Sequence, residues 1–230
     1  MEAAALYSRG VEKWPDDPRF YRFRGHRFVI LRRLDLAMRD FERAAELIRD
    51  RPDEPELYAS GGKSENKMGV SSFNWNVYYH QGFTYYASGQ YEKAVKAYLD
   101  CMRAADNLES RVATSHWLYM PLIRLGRWSE AEQLLELIEP DMDLIEVGDY
   151  YETLLMYKKY STPEKLLQKA RSEGSVRFMT RAQAIGNLYM ARGETDKAVE
   201  VYREIMRDGN WTGGVYLCAE AELMRLGINP

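Results

Sequence analysis

Four alanines fall at one place of a repeating frame, Ala37, Ala94, Ala131 and Ala198, and each is followed four residues later by a large apolar side chain, Phe41, Tyr98, Leu135 and Tyr202. Residues four apart share one face of a helix, so each pair offers a small and a large side chain to a neighbouring helix. The turns recur as well: Gly89, Gly126, Ser161, Gly193 and Gly227 are separated by 37, 35, 32 and 34 residues. A period in this range predicts a stack of helical hairpins in which each unit buries its apolar face on the next. The expected fold is all-α, an α-solenoid spanning residues 1–230 as a single domain.

The clearest unit runs from Trp75 to Met102. Tyr78, Gly82 and Tyr85 lie on one face of a first helix, Gly89 ends it, and Tyr91, Ala94 and Tyr98 face back from a second. Gly82 leaves room where the two helices approach, and the tyrosines fill the wedge on either side. This order of aromatic, Gly, aromatic, turn Gly, aromatic, Ala and aromatic resembles the tetratricopeptide repeat. Upstream, Tyr21, Gly25, Phe28, Leu34, Ala37, Phe41 and Ala44 repeat it. One period earlier, Ala3, Tyr7 and Gly10 suggest a second helix, so the chain is expected to begin in mid-repeat. Downstream, the unit over Ser115 to Ile138 has Tyr119 at the Gly place, and the unit over Gly148 to Glu173 has Leu154 there. Ala182 to Ile205 returns to form with Gly186, Tyr189, Gly193, Ala198 and Tyr202, and a last first helix is expected over Gly213 to Leu226. The resemblance implies a right-handed superhelix of five to six tetratricopeptide-like hairpins. Strings such as His116-Trp117-Leu118-Tyr119-Met120 are also similar to a group of bacterial tetratricopeptide proteins, which implies no activity.

Residues 50–72 interrupt the frame and stretch the interval from Gly25 to Gly82 to 57. Pro, Gly, Ser and charge dominate them, which predicts a long loop insertion. It is either a mobile surface segment or a flap over the groove, anchored by Leu57, Tyr58, Met68 and Val70. Within it, Gly61-Gly62-Lys63-Ser64 lacks the earlier Gly and the preceding strand of a phosphate-binding loop.

The net charge of −3 carries no footprint of general nucleic-acid binding. No run of 18 apolar residues and no signal peptide are visible, so a soluble chain is expected. It reads as cytoplasmic unless a longer chain carries an export signal ahead of it. Cys101 and Cys218 are expected to be free, small core residues, several repeats apart. No paired-Cys metal motif, no His-Glu-x-x-His and no Gly-x-Ser-x-Gly occur, and no cofactor is implied. Asp141 with Asp143 and Glu220 with Glu222 are spaced by two and are expected to be solvated.

In tetratricopeptide proteins the first helices line the inner face. By that resemblance, the places three before and one after the helix Gly look inward. They hold Arg22 and His26, Tyr79 and Phe83, His116 and Met120, Tyr151 and Leu155, and Gln183 and Asn187. Arg19, Asn76, Tyr86, Arg124, Lys158 and Lys159 extend the same stripe by a turn. His26, His80 and His116 fall on three successive first helices, too far apart for shared metal ligation. Arg19, Arg22 and His26 share a face and could grip one anion, whereas Arg32 and Arg33 are explained by the helix dipole. The Lys and Asn pattern of the carboxylate-clamp members is poorly matched. Two readings of the stripe compete. One is a seam of buried aromatic and histidine contacts. The other is a groove for an extended peptide or a terminal carboxylate.

The expected function is a non-catalytic scaffold that binds a peptide or protein segment, acidic or C-terminal, on its concave face, with neither nucleic acid nor membrane as partner. The alternative is a small-ligand or anion receptor with a pocket around Arg22, His26, Tyr79 and His116, closed by the 50–72 loop. A peptide site predicts an open, continuous groove instead. The apolar terminal repeats predict a fragment of a longer chain or a homodimer that buries an end repeat.

Overall fold

The computed structural model describes residues 2–56, 71–208 and 210–230. The flap anchors Leu57, Tyr58, Met68 and Val70, and Gly61-Gly62-Lys63-Ser64, lie outside the described residues. Among the described residues there are twelve α-helices and no strand beyond an isolated bridge between Pro55 and Ser72. Inner helices alternate with outer ones: α1 (Glu2–Lys13), α2 (Pro18–Ile30), α3 (Leu34–Ile48), α4 (Phe73–Ala87), α5 (Tyr91–Ala104), α6 (Leu108–Arg124), α7 (Trp128–Leu134, extended by a 3₁₀ turn), α8 (Gly148–Tyr157), α9 (Pro163–Glu173), α10 (Ser175–Ala191), α11 (Thr195–Asp208) and α12 (Gly214–Arg225). The hairpins are α2/α3, α4/α5, α6/α7, α8/α9 and α10/α11, with α1 on the first and α12 on the last.

The four frame alanines and the partners Phe41, Tyr98 and Tyr202 are fully buried. Three hairpins, α2/α3, α4/α5 and α10/α11, close because the inner helix offers a glycine where the outer helix offers a ring. A Cβ on Gly82 would lie 2.7 Å from the Tyr98 ring, one on Gly186 2.5 Å from that of Tyr202, and one on Gly25 3.1 Å from that of Phe41. At α6 the order is exchanged, with buried Tyr119 at the inner place and Leu135 at the outer. Tyr119 turns to the following unit and stacks on Tyr157 at 3.9 Å. At the amino end the buried small residue is Ala4 rather than Ala3, and Tyr7 stacks on Phe23.

The turns behave as the spacing predicts in three hairpins, where Gly89, Gly126 and Gly193 take left-handed φ of 74°, 70° and 76°. The first hairpin spends a non-glycine there, Arg32 at φ 60°. The fourth corrects the sequence frame: the left-handed residue is Lys159 at φ 69°, two places before Ser161. The turn between α8 and α9 is two residues longer than its counterparts. The inner position of α8 is therefore Glu152, not Leu154. Thr162 then caps α9, accepting from the Lys165 N–H, with Pro163 in the first turn.

The two ends of the insertion meet beside α4. Glu56 N–H donates to the Ser71 carbonyl, Phe73 N–H donates to the Glu54 carbonyl, and Asp53 accepts from Ser72 Oγ and the Asn74 N–H. The insertion thus leaves and re-enters at one point. The inner helices also pack on one another, α6 on α10 and α12 on both α4 and α10, so the stack curls until its last helix lies against its second hairpin.

Candidate functional site

The inner face divides into a filled part and an open part. The filled part is a polar network that joins α4, α6, α10 and α12. Arg124 reaches Glu222 at 2.8 Å, Arg225 reaches the same carboxylate at 2.8 Å, and Tyr91 Oη donates to it at 3.0 Å. Glu222 is 1% exposed, and although burial opposes ionisation, the two guanidiniums hold its pKa below the ordinary value. Tyr86 Oη donates to Asn187 Oδ1, Gln183 Nε2 donates to Tyr86 Oη, and Asn187 Nδ2 donates to the Met120 carbonyl. Arg32, in its left-handed turn, reaches Glu220 at 2.7 Å and the Trp211 carbonyl at 2.6 Å. The backbone of α12 comes close at Gly214, where a Cβ would stand 2.9 Å from the Phe83 ring. The continuous groove expected for an extended peptide is thus occupied in this half by the chain's own last helix.

The open part is a cavity of about 580 Å³ between α2, α4 and α6 and the start of α8, lined by residues that include Arg22, His26, Arg27, Trp75, Tyr79 and Tyr150. Trp75 stacks on Tyr79 at 4.7 Å, and Tyr79 Oη lies 3.2 Å from Tyr150 Oη. Burial raises the Tyr79 phenol well above its usual pKa. Arg22 pairs with Glu56 at 3.1 Å. The Glu109 carboxylate accepts the backbone N–H groups of Ile145 (2.5 Å), Glu146 (3.1 Å) and Val147 (3.1 Å) at the entrance to α8. The rings of His26 and His80 meet edge to face at 5.2 Å. Since the Asn76 carbonyl can only accept, His80 Nδ1 is the protonated nitrogen and Nε2 carries the lone pair. Burial, with Arg22 and Arg27 nearby, lowers His26 to a pKa of about 4, and burial takes His116 to about 3.

The predicted stripe is therefore dispersed. Arg22, His26, Asn76 and Tyr79 line the cavity. His116 lies beneath it, stacked on Tyr150 at 4.5 Å with Nδ1 2.6 Å from Thr153 Oγ1. Phe83, Met120, Arg124, Gln183 and Asn187 belong to the filled part. Arg19 does not join Arg22 and His26: it is exposed and folds back on Asp17, the N-cap of α2. Tyr151 and Lys158 follow the two-residue shift of α8 and reach the Glu139 and Ile138 carbonyls beyond α7. The inward positions of α8 are Asp149, which holds Arg181 at 2.9 Å, and Thr153. Glu222, read as solvated, is buried, and Arg32 bridges to the last helix rather than only answering a helix dipole.

Residues the sequence did not single out include Glu56, Glu109 and Tyr150 in the cavity and Arg181 among three carboxylates. Arg27, also in the cavity, belongs to the run of arginines on α2 that is visible in the sequence.

Two family profiles, each described as tetratricopeptide repeat, match the chain over residues 76–108 and 182–210. These spans hold most of α4/α5 and most of α10/α11, the hairpins with the closest glycine-to-tyrosine contacts. No curated protein matches the chain significantly. No helix among the described residues is long and apolar enough to cross a membrane. Tetratricopeptide repeats generally act as non-catalytic mediators of protein–protein interaction, which implies a protein partner. With its paired helices, glycine-to-ring contacts and two profile matches, the chain is a tetratricopeptide-repeat protein.

Proposed function

We propose that this protein is a binding scaffold whose recognition site is the cavity between α2, α4 and α6, which seats a short segment of a partner rather than a long peptide. The observation that carries this reading is the placement of α12. It covers the inner face from Phe83 to Asn187, and the cavity is the part left uncovered among the described residues. Arg22, His26, Asn76 and Tyr79 are the recognition residues in this reading, with Trp75 and Tyr150 as walls. Aromatic side chains supply stiff contact area at low entropic cost, as recognition sites need.

A second reading, a receptor for a small ligand or anion, is favoured by size, since about 580 Å³ falls within the range of small-molecule sites.

Selection from a proteome-derived peptide library, set beside a small-molecule thermal-shift screen, separates the two. The double variant His26→Ala with Tyr79→Ala is expected to lose the selected ligand at least tenfold while keeping its helical circular dichroism. His26→Gln, a milder change, is expected to weaken binding in the same direction. Unchanged binding in both variants removes the cavity as the site.

A further inference from the structure

We propose that the cavity binds a carboxylate carried on an apolar or aromatic body, with the Arg27 guanidinium as its ion partner; this rests on the reading that the cavity is the recognition site. Arginines on α2 are otherwise answered within the protein: Arg19 by Asp17, Arg22 by Glu56 and Arg24 by Asp40. Among the described residues the Arg27 side chain has no ion pair or hydrogen bond; the residue lines the cavity, and its buried Nε is a donor without an acceptor. A buried donor left open costs stability comparable to a lost hydrogen bond, so its retention points to a group that arrives from outside.

The carboxylates of the cavity do not supply that group. Glu56 is taken by Arg22, Glu109 by three backbone N–H groups, and Glu146 is exposed at the rim. Arg27 therefore stands as a cation not neutralised in place; burial is the main cause of the low pKa of His26, and the positive charges of Arg22 and Arg27 add to it. Asn76 on the same wall is fully buried, its Nδ2 donating to Ser71 Oγ at 3.0 Å and its Oδ1, an acceptor and so no partner for a carboxylate, left without a hydrogen bond among the described residues. The rest of the lining is aromatic, Phe23, Trp75, Tyr79 and Tyr150, which suits a flat or apolar body behind the charge. A guanidinium accepts a carboxylate through two parallel N–H donors, and Nε with one terminal nitrogen forms one such pair.

The carboxylate could belong to the end of a partner chain, to an acidic side chain or to a free organic acid. Calorimetric titration of the full chain tests all three. The probes are 3-phenylpropionate and its neutral amide, a tripeptide ending in phenylalanine with a free or an amidated terminus, and an amidated tripeptide with a central aspartate. The expected result is that at least one carboxylate binds with a Kd below about 1 mM and its uncharged counterpart at least about tenfold weaker. Arg27→Gln is expected to abolish that difference and Arg27→Lys to keep part of it, with the melting temperature unchanged. The best probe names the source: the free-ended tripeptide a chain end, the aspartate tripeptide an acidic segment, phenylpropionate a small acid.

Equal binding of acid and amide, an Arg27→Gln variant with unaltered affinity, or no saturable binding of any carboxylate up to about 10 mM overturns the proposal. If that happens while His26→Ala with Tyr79→Ala still loses the selected partner, the cavity remains the site and only its charge assignment falls. If the double variant also keeps its partner, the underlying reading falls with it.

Discussion

His116 illustrates how strongly a single inner-face residue is governed by its surroundings. It is 1% exposed, stacked on Tyr150, and donates from Nδ1 to Thr153 Oγ1, whose own proton goes to the Tyr150 carbonyl. Its folded pKa of about 3 lies below the unfolded value of about 6.5. Between these values the unfolded chain binds the extra proton, so stability is lost as pH falls below about 6.5. The linkage amounts to about 2 kcal/mol at pH 5 relative to neutral pH. Denaturant melts at pH 7 and pH 5 are expected to show this loss, reduced by about that amount in His116→Gln. The proton resonances of the imidazole should stay at their neutral positions throughout. A His116 that titrates near 6.5 contradicts the burial argument. A histidine at a predicted inward position was legible as a candidate; that it lies under a wall rather than on it was not, because the sequence does not say which ring covers which.

Within a hairpin, the decisive quantity is how closely two helices approach. Gly82 and Tyr98 set it in α4/α5, with the Tyr98 ring where a side chain at 82 would stand. Gly82→Ala is therefore expected to lower stability by about 1–3 kcal/mol through overpacking, measured by thermal or urea melts, and Gly82→Leu by more. Substitution at Gly193, whose Cβ would meet nothing within 4 Å, carries only the backbone strain of φ 76°. The frame was readable in hairpins that obey the glycine-to-ring rule, and these contain the spans matched by family profiles. It slipped by two residues at α8, where the inner place holds Glu152 and the turn residue is Lys159. Neither residue type announces a close approach or a left-handed turn. Tyr151 and Lys158 consequently belong to a different face from the one their spacing suggested.

At the scale of the molecule, the last helix ties distant hairpins together. Glu222 sits between Arg124 of α6 and Arg225 of α12 with Tyr91 of α5 beside it, while Arg225 also donates to the Ala87 carbonyl at the end of α4. An open solenoid unfolds by nearest-neighbour steps. Closure through α12 should instead make the second hairpin and the last helix lose protection together. Hydrogen exchange on the native chain is expected to give matching opening free energies for α4 and α12. Glu222→Ala, which leaves the half-buried Arg124 without its counter-charge and frees the more exposed Arg225, should cost about 3 kcal/mol and uncouple the two. Independent exchange of α12 in the unaltered chain contradicts closure. The sequence by itself determined the hairpins and their alternation, because the period of small and large residues acts between helices that are neighbours along the chain. Only the tertiary structure decided which inward residues remain available, because that depends on contacts between helices as far apart as α4 and α12, whose residues carry no mutual spacing to read. The sequence placed Arg22, His26, Asn76 and Tyr79 on one face of the early inner helices. The packing of α2, α4, α6 and the start of α8 made that face a cavity, and the folding back of the chain buried Phe83, Arg124 and Asn187 under Glu222 and its helix.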